Sequence, residues 1–182
     1  DQMNKDSQNE NLLNEVEFPL IYVLSKMECE GFNLNSTFLK QMEVDLGEEI
    51  TELEKIIFES AGEVFNLSSP KQLGVILFEK LNLVDKPKKT RTGQYSTSEE
   101  VLSLLAKKHK IIDDILNWRS LNKLQTTYVK ALPEEINTRT KRIHTIFNQA
   151  VASTGRLTSI KPNLQNIPIR TKKGQLIRKA FI

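Results

Sequence analysis

No Asp or Glu occurs after Glu135 in this 182-residue chain, although ten Lys or Arg follow it: Arg139, Lys141, Arg142, Arg156, Lys161, Arg170, Lys172, Lys173, Arg178 and Lys179. That absence denies residues 136–182 a carboxylate pair for acid–base work or for holding metals. Cysteine is nearly missing too. Cys29 alone excludes an internal disulfide, and without a CxxC or Cys/His cluster there is no basis for a structural zinc site. The longest apolar run near the start, 19–24, is far too short to span a bilayer, and no basic leader with a cleavage pattern precedes it. These gaps point to the cytoplasm and away from a membrane. There is no internal repeat, Gly-rich phosphate loop, HExxH or nucleophile elbow. The chain begins with Asp1 and ends on Ile182 with no polar tail, which reads as a piece of something longer.

What is present is unevenly distributed. The formal net charge is +3, but residues 1–60 hold 14 acids and 4 bases, whereas 61–182 hold 9 acids and 22 bases. The second part calls for an anionic partner, and nucleic acid is the obvious long one. Within it, 153–170 interleaves Arg, Asn and Gln with Gly155, Pro162 and Pro168, a shaped loop with donors for phosphates and for neutral acceptors alike. Composition leaves two readings open here, a solvated basic surface or a strip that lies along a polyanion. The length allows one good core or two small ones, hence one domain plus an incomplete neighbour.

Along the chain, 1–11 is polar, and apolar residues at helical spacing predict a helix over 12–30 with Pro19 in its first turn and Gly31 as its stop. After the extended link 32–34, Asn35 or Ser36 caps a second, antiparallel helix to about 60, striped by Leu39, Met42, Leu46, Ile50, Leu53 and Ile57. Acids on the outer faces of this pair would keep it off a polyanion. Ser69-Pro70 with Gln72 reads as a capping box opening a helix to about 80, and Ser96 with Glu99 as a second. Between them lies a basic loop with Lys88, Lys89 and Arg91. These are either ordinary caps beside a wet loop, or a phosphate cradle made of two helix N-termini. A long helix over 111–131 sets Trp118, Leu121, Leu124, Tyr128 and Leu132 against a ridge of Arg119, Lys123, Thr126 and Lys130. The ridge is a solvated face or tracks a backbone. The alternating 142–149 predicts a strand entered by a turn at 138–141; 175–182 reads as strand, or as one helical turn and then strand. His109 and His144 are read as surface or hydrogen-bonded residues rather than catalysts.

The run TGRLTSIKPNLQNIPIR at 154–170 closely resembles the TGRLSS and PNLQNIP motifs of family A DNA polymerases, the class of bacterial DNA polymerase I. The resemblance extends over nearly the whole chain through FNLSSPKQLGVILFEKLNL at 65–83, STSEEVL at 96–102, WRSLNKL at 118–124 and IRKAFI at 177–182. The chain departs from the pattern at Thr140-Lys141-Arg142, where the family has Thr-Gly-Arg. It also departs at Thr158 and Lys161, in place of a Ser and an acid, and it has the Asn form at Asn148.

The resemblance implies a mainly α fold with a small β portion (α+β): a leader at 1–14, antiparallel thumb helices at 15–135, and at 136–182 a palm segment that stops short of the family's catalytic carboxylates. It implies a DNA-directed DNA polymerase, a nucleotidyltransferase of DNA replication and repair synthesis, as the parent, monomeric and cytoplasmic in a bacterium. Its partners would be primer–template DNA and deoxynucleoside triphosphates, with Mg²⁺ held by ligands outside this chain, and the fragment itself would be inactive. Carried over position by position, Arg156, Asn163, Gln165 and Asn166 would meet the primer–template near the primer terminus. Arg119 and Lys123 would lie along the duplex, and Asn66 and Ser69 would meet a strand backbone. The alternative is a non-catalytic helical module that clamps duplex nucleic acid.

Overall fold

The structure is a computed structural model and describes residues 7–182. In chain order the elements are α1 (Ser7–Leu12), a π-helical turn (Leu13–Glu17), α2 (Phe18–Glu30), α3 (Ser36–Ala61), α4 (Pro70–Val75) running into a second π turn (Ile76–Lys80), α5 (Glu99–Ala106), α6 (Lys110–Leu124), a third π turn (Gln125–Lys130), α7 (Ala131–Glu134), β1 (Ile146–Asn148), β2 (Thr158–Ile160) and α8 (Lys172–Lys179). The fold is mainly α, and among the described residues its sheet is one antiparallel pair in which Phe147 faces Ser159. Two compact units emerge. One is Gln41–Thr126; the other joins the described residues up to Lys40 with Thr127–Ile182. The helices read from sequence within 15–135 are therefore shared between two units.

The unit Gln41–Thr126 closes on one core. Ile57, Leu73, Leu77, Leu102, Ile112 and Ile115 are wholly buried in it, which follows from apolar residues recurring every three or four positions on helices that face inward. Trp118 joins this core and donates its indole N–H to Glu54 Oε1 at 3.0 Å, so the ring is buried without an orphaned donor. Gln125 donates to the Glu43 carbonyl at 3.0 Å, and Gly47 gives it room, since a Cβ there would sit 3.3 Å from Gln125 Nε2.

In the other unit the C-terminal end of α2 receives the segment that leads into the hairpin. Phe32 and Ile143 exchange backbone hydrogen bonds of 2.8 and 2.9 Å. His144 is hydrogen-bonded at both ring nitrogens, Nδ1 to the Glu28 carbonyl and Nε2 to the Thr140 hydroxyl, each at 2.7 Å. His144 is thus hydrogen-bonded, one of the two readings its sequence context allowed. The Phe147 N–H donates to Glu28 Oε1 at 2.6 Å, and Gln149 Nε2 donates to the Glu17 backbone at 2.9 Å and also to its carboxylate.

Several local readings change. Gln72 does close a hydrogen bond at the start of α4, but to the Asn66 N–H (2.7 Å) rather than to that of Ser69, because the Ser69 N–H is taken by the Asn66 carbonyl. The cap of α5 is Ser98, which accepts from Val101 N, with Ser96 bonded to it in turn. The strand read at 142–149 forms a ladder from Ile146 to Asn148, with Ile143 bridged separately to Phe32 and Ile136, and 158–160, read as loop, is the ladder's partner. Residues 172–179 are helical, capped by Thr171 accepting from Gly174 N at 3.0 Å; only Phe181 is extended, bridged to Leu34.

Gly31 and Lys141 form a contrasting pair of left-handed residues. Gly31 has φ +68, and a Cβ there would lie 2.7 Å from the Ile143 carbonyl oxygen. Lys141 has φ +60 at the position where the resembled family keeps glycine. Left-handed geometry costs a side chain about 1–2 kcal/mol. We therefore expect Gly31→Ala to lower stability by about 2 kcal/mol or more, through strain and overlap together. Lys141→Gly should raise it by a few tenths to about 1 kcal/mol, since the relieved strain exceeds the added chain entropy. Urea unfolding of both variants checks the opposite signs.

Candidate nucleic-acid interface

In the unit Gln41–Thr126 the start of α4, the 90–98 segment and the exposed side of α6 enclose an open cleft of about 610 Å³. Ser68, Pro70, Thr90, Gln94, Ser96, Ser98, Arg119, Asn122, Lys123 and Thr126 all line it. The local sequence explains the arrangement. The basic loop closes as a small hairpin, with Thr90 N–H to Gln94 O (2.7 Å), Ser96 N–H to Lys88 O (2.8 Å) and Lys89 bridged to Tyr95. Tyr95 anchors it by packing on Phe78, ring centroids 5.4 Å apart. Glu79 beside the Tyr95 hydroxyl raises that phenol above its ordinary value by hydrogen bonding, with burial acting the same way. Arg119 fixes the far side, its guanidinium donating to the Thr97 carbonyl at 2.6 Å and to Thr97 Oγ1 at 3.3 Å. Partial burial lowers its pKa and Glu99 opposes that shift; guanidinium begins high enough to stay charged.

In the other unit the loop between β2 and α8 is tied down through its backbone by hydroxyls from outside it. Thr145 donates to the Ile160 and Pro162 carbonyls (3.0 and 2.8 Å), Leu164 N–H to Ser159 Oγ (3.0 Å), and Tyr128 OH to the Asn166 carbonyl (2.5 Å). Asn163 Oδ1 accepts from Gln165 N–H at 3.1 Å, and Gln165 Nε2 donates to the Leu157 carbonyl at 2.7 Å. Arg156, Asn163, Gln165 and Asn166 are all exposed. The result is a fixed loop that exposes Asn163 and Asn166, with Gln165 turned back onto Leu157, while Arg156 stands exposed on the turn between β1 and β2.

Residues 36–182 match the sequence model of DNA polymerase family A. The chain belongs to DNA polymerase family A. It is 47% identical over 182 residues to DNA polymerase I of Geobacillus stearothermophilus, a match covering 100% of this chain and 20% of that one. It is 52% identical over 172 residues to DNA polymerase I of Synechocystis sp., covering 94% of this chain and 17% of that one. Among solved structures, the POL domain of Pol1 from M. smegmatis, in complex with DNA primer-template and dNTP, matches with a TM-score of 0.84 at 38% identity, over 96% of this chain and 30% of that chain. The chain thus spans about a fifth of the length of the curated relatives it matches.

Within this family A chain the site residues read from sequence fall into separate groups. Arg119 and Lys123 line the cleft. Asn66 and Ser69 stand at its edge and spend side-chain acceptors on local turns, Asn66 Oδ1 on Ser68 N–H and Ser69 Oγ on Gln72 N–H. Lys88, Lys89 and Arg91 are exposed on the hairpin and do not line the cleft; the Lys89 ammonium lies 5.2 Å from the Tyr95 ring centre. Asn163, Gln165 and Asn166 share the loop between β2 and α8 in the other unit, and Arg156 lies in the same unit on the turn that joins β1 to β2. Sequence reasoning missed Asn122, although its spacing of three from Arg119 and four from Thr126 puts it on the same ridge. It also missed the hydroxyls of Tyr128, Thr145 and Ser159, whose partners are backbone atoms that no side-chain pattern reveals.

The carboxylates do not make a metal site. Among the described residues no three His, Cys, Asp or Glu side chains gather where they could hold an ion, and 136–182 has no carboxylate. Two-metal phosphoryl transfer needs such a gathering of carboxylates, and none is found among the described residues. Nor, among the described residues, is any helix long and apolar enough to cross a membrane.

Arg119 is the side chain on which the cleft wall hangs. Replacement by Ala should cost about 1.5–3 kcal/mol of stability, the usual value for a hydrogen bond to a charged donor. Arg119→Lys should recover only part, since an ammonium lacks the planar fork that reaches both Thr97 oxygens. Denaturant midpoints of the two variants test the order.

Proposed function

We propose that this chain is the duplex-holding part of a DNA-directed DNA polymerase, with 15–135 acting as thumb and 136–182 as the first part of the palm. It grips primer–template DNA through phosphate contacts from the cleft and minor-groove contacts from the loop. The observation that carries the reading is the stretch 153–170, where Arg156 on the β1–β2 turn and Asn163, Gln165 and Asn166 on the β2–α8 loop are exposed while internal hydrogen bonds hold the backbone of that loop. Every Watson–Crick pair offers minor-groove acceptors at purine N3 and pyrimidine O2. Fixed donors at that height test pair geometry without reading sequence, as copying requires. Asn122 and Lys123 suit a phosphate backbone, being donors on a short and a flexible stem side by side on α6, whereas the Thr126 hydroxyl is already donated to the Asn122 carbonyl. The polymerase as a whole acts in replication and repair synthesis, is a cytoplasmic monomer in a bacterium, and takes deoxynucleoside triphosphates with Mg²⁺ bound by carboxylates outside this chain.

Binding of the chain to a fluorescent primer–template tests this directly. If about five phosphates are neutralised, affinity should fall roughly 500-fold between 50 and 200 mM salt, and equally for unrelated sequences. An affinity indifferent to salt, or confined to one sequence, would overturn the reading.

Arg156 separates grip from scaffold. It is exposed, and among the described residues no hydrogen bond or ion pair of its side chain is found. Arg156→Ala should weaken primer–template binding by about 1–3 kcal/mol and leave the melting temperature within a degree or two. A large fall in melting temperature with affinity unchanged per folded molecule would make Arg156 a prop instead.

A further inference from the structure

The loop that carries the proposed minor-groove donors hangs on three buried hydroxyls. Thr145 and Ser159, 1% and 0% exposed, belong to the hairpin strands or their approach. Tyr128 comes from elsewhere, the π turn Gln125–Lys130, 38 residues before its partner Asn166. Its ring is 6% exposed, and burial raises the phenol pKa, so the hydroxyl remains a donor well into alkaline pH. Beside the bond is a small cavity of about 160 Å³ that Tyr128, Leu132, Pro162, Asn163 and Asn166 all line. The loop therefore has free space behind it. Without the hydroxyl, nothing at that wall fixes how deep Asn166 sits, whereas Asn163 stays between the Pro162 and Leu164 ties.

We infer that Tyr128 is a positioning residue for the DNA grip: through its hydroxyl it sets the Asn166 peptide, and with it the Asn166 amide, at the distance where it can donate to the minor groove. This rests on the grip proposed above. A structural tie and a positioning tie leave different traces. Asn166 is exposed, so its released carbonyl can turn to water at small cost to folding, whereas an amide donor displaced by half an ångström or more loses much of its hydrogen bond. Asn donors are neutral and displace no counterions, so losing them leaves salt dependence untouched.

Tyr128→Phe removes one oxygen and keeps the ring. Titrating this variant and the unchanged chain with primer–template at several salt concentrations, with melting curves on the same samples, should give affinity about five- to tenfold weaker at every salt, as expected for one misplaced set of hydrogen bonds. The slope of log Kd against log salt should not change, and the melting temperature should shift little. In the background Asn163→Ala with Asn166→Ala, the further change Tyr128→Phe should cost no additional affinity. Unchanged affinity in the single variant, a shallower salt slope, or a full additional loss in that background would each overturn the positioning role. Failure of the unchanged chain to bind duplex would overturn the grip itself, an outcome distinct from normal binding by Tyr128→Phe.

Discussion

Ten positive charges without a single carboxylate between residues 136 and 182 form the constraint on which the C-terminal architecture depends. Such a stretch repels itself and cannot close on its own ion pairs. Its acidic partners come from the helices at the other end of the chain: Glu30 pairs with Arg142 at 3.2 Å, Glu28 accepts from the Phe147 N–H, and Glu17 takes Gln149. The charge asymmetry of the sequence is therefore not an asymmetry of use. Acids that look like a solvated shield on α2 include the ones that dock the hairpin. Beyond β2, where those acids are not its partners, the loop at 160–166 is set by neutral hydroxyls and amides instead.

The same economy governs the basic residues. Arg119 looks, by spacing alone, like one more member of a DNA-facing ridge, yet two of its hydrogen bonds go to Thr97. Guanidinium has five N–H groups, so holding a wall and lining a cleft are compatible for Arg where they would not be for Lys. Lys123 has no such second duty evident and stays exposed on the cleft. Positive charge that shapes a surface and positive charge that meets a ligand thus come from different residue types along one helix.

Helix positions and apolar stripes were legible because they depend on spacing within one segment. Leu39, Met42, Leu46, Ile50 and Ile57 are buried as their periodicity requires, with Leu53 half-buried. The candidate site was legible where donors cluster in sequence, as in the stretch 154–170. What escaped were choices between equivalent local partners. Ser96 and Ser98 both satisfy a capping rule, and Tyr95 packing on Phe78 decides between them by fixing where the hairpin ends. The pattern at 175–182 escaped for the opposite reason. Its short sequence carries neither period clearly, and Thr171, which precedes it in the chain, supplies the cap that makes it helical.

The two surfaces also differ in the accuracy they demand. A charge acts over the Debye length, about 8–10 Å at ordinary salt, so a lysine on a flexible stem can miss a phosphate by an ångström and still attract it. A neutral hydrogen bond is gone by about 3.5 Å or with modest misalignment. A surface built on Lys123 therefore tolerates mobile tips, whereas one built on Asn163 and Asn166 needs its backbone fixed. The ties follow that division: Lys123 is an exposed side chain at the C-terminal end of α6, while the 160–166 backbone is bound by Thr145, Ser159 and Tyr128. Those hydroxyls are buried because a tie exposed to water would compete with it, and a competed tie cannot hold a donor to a fraction of an ångström.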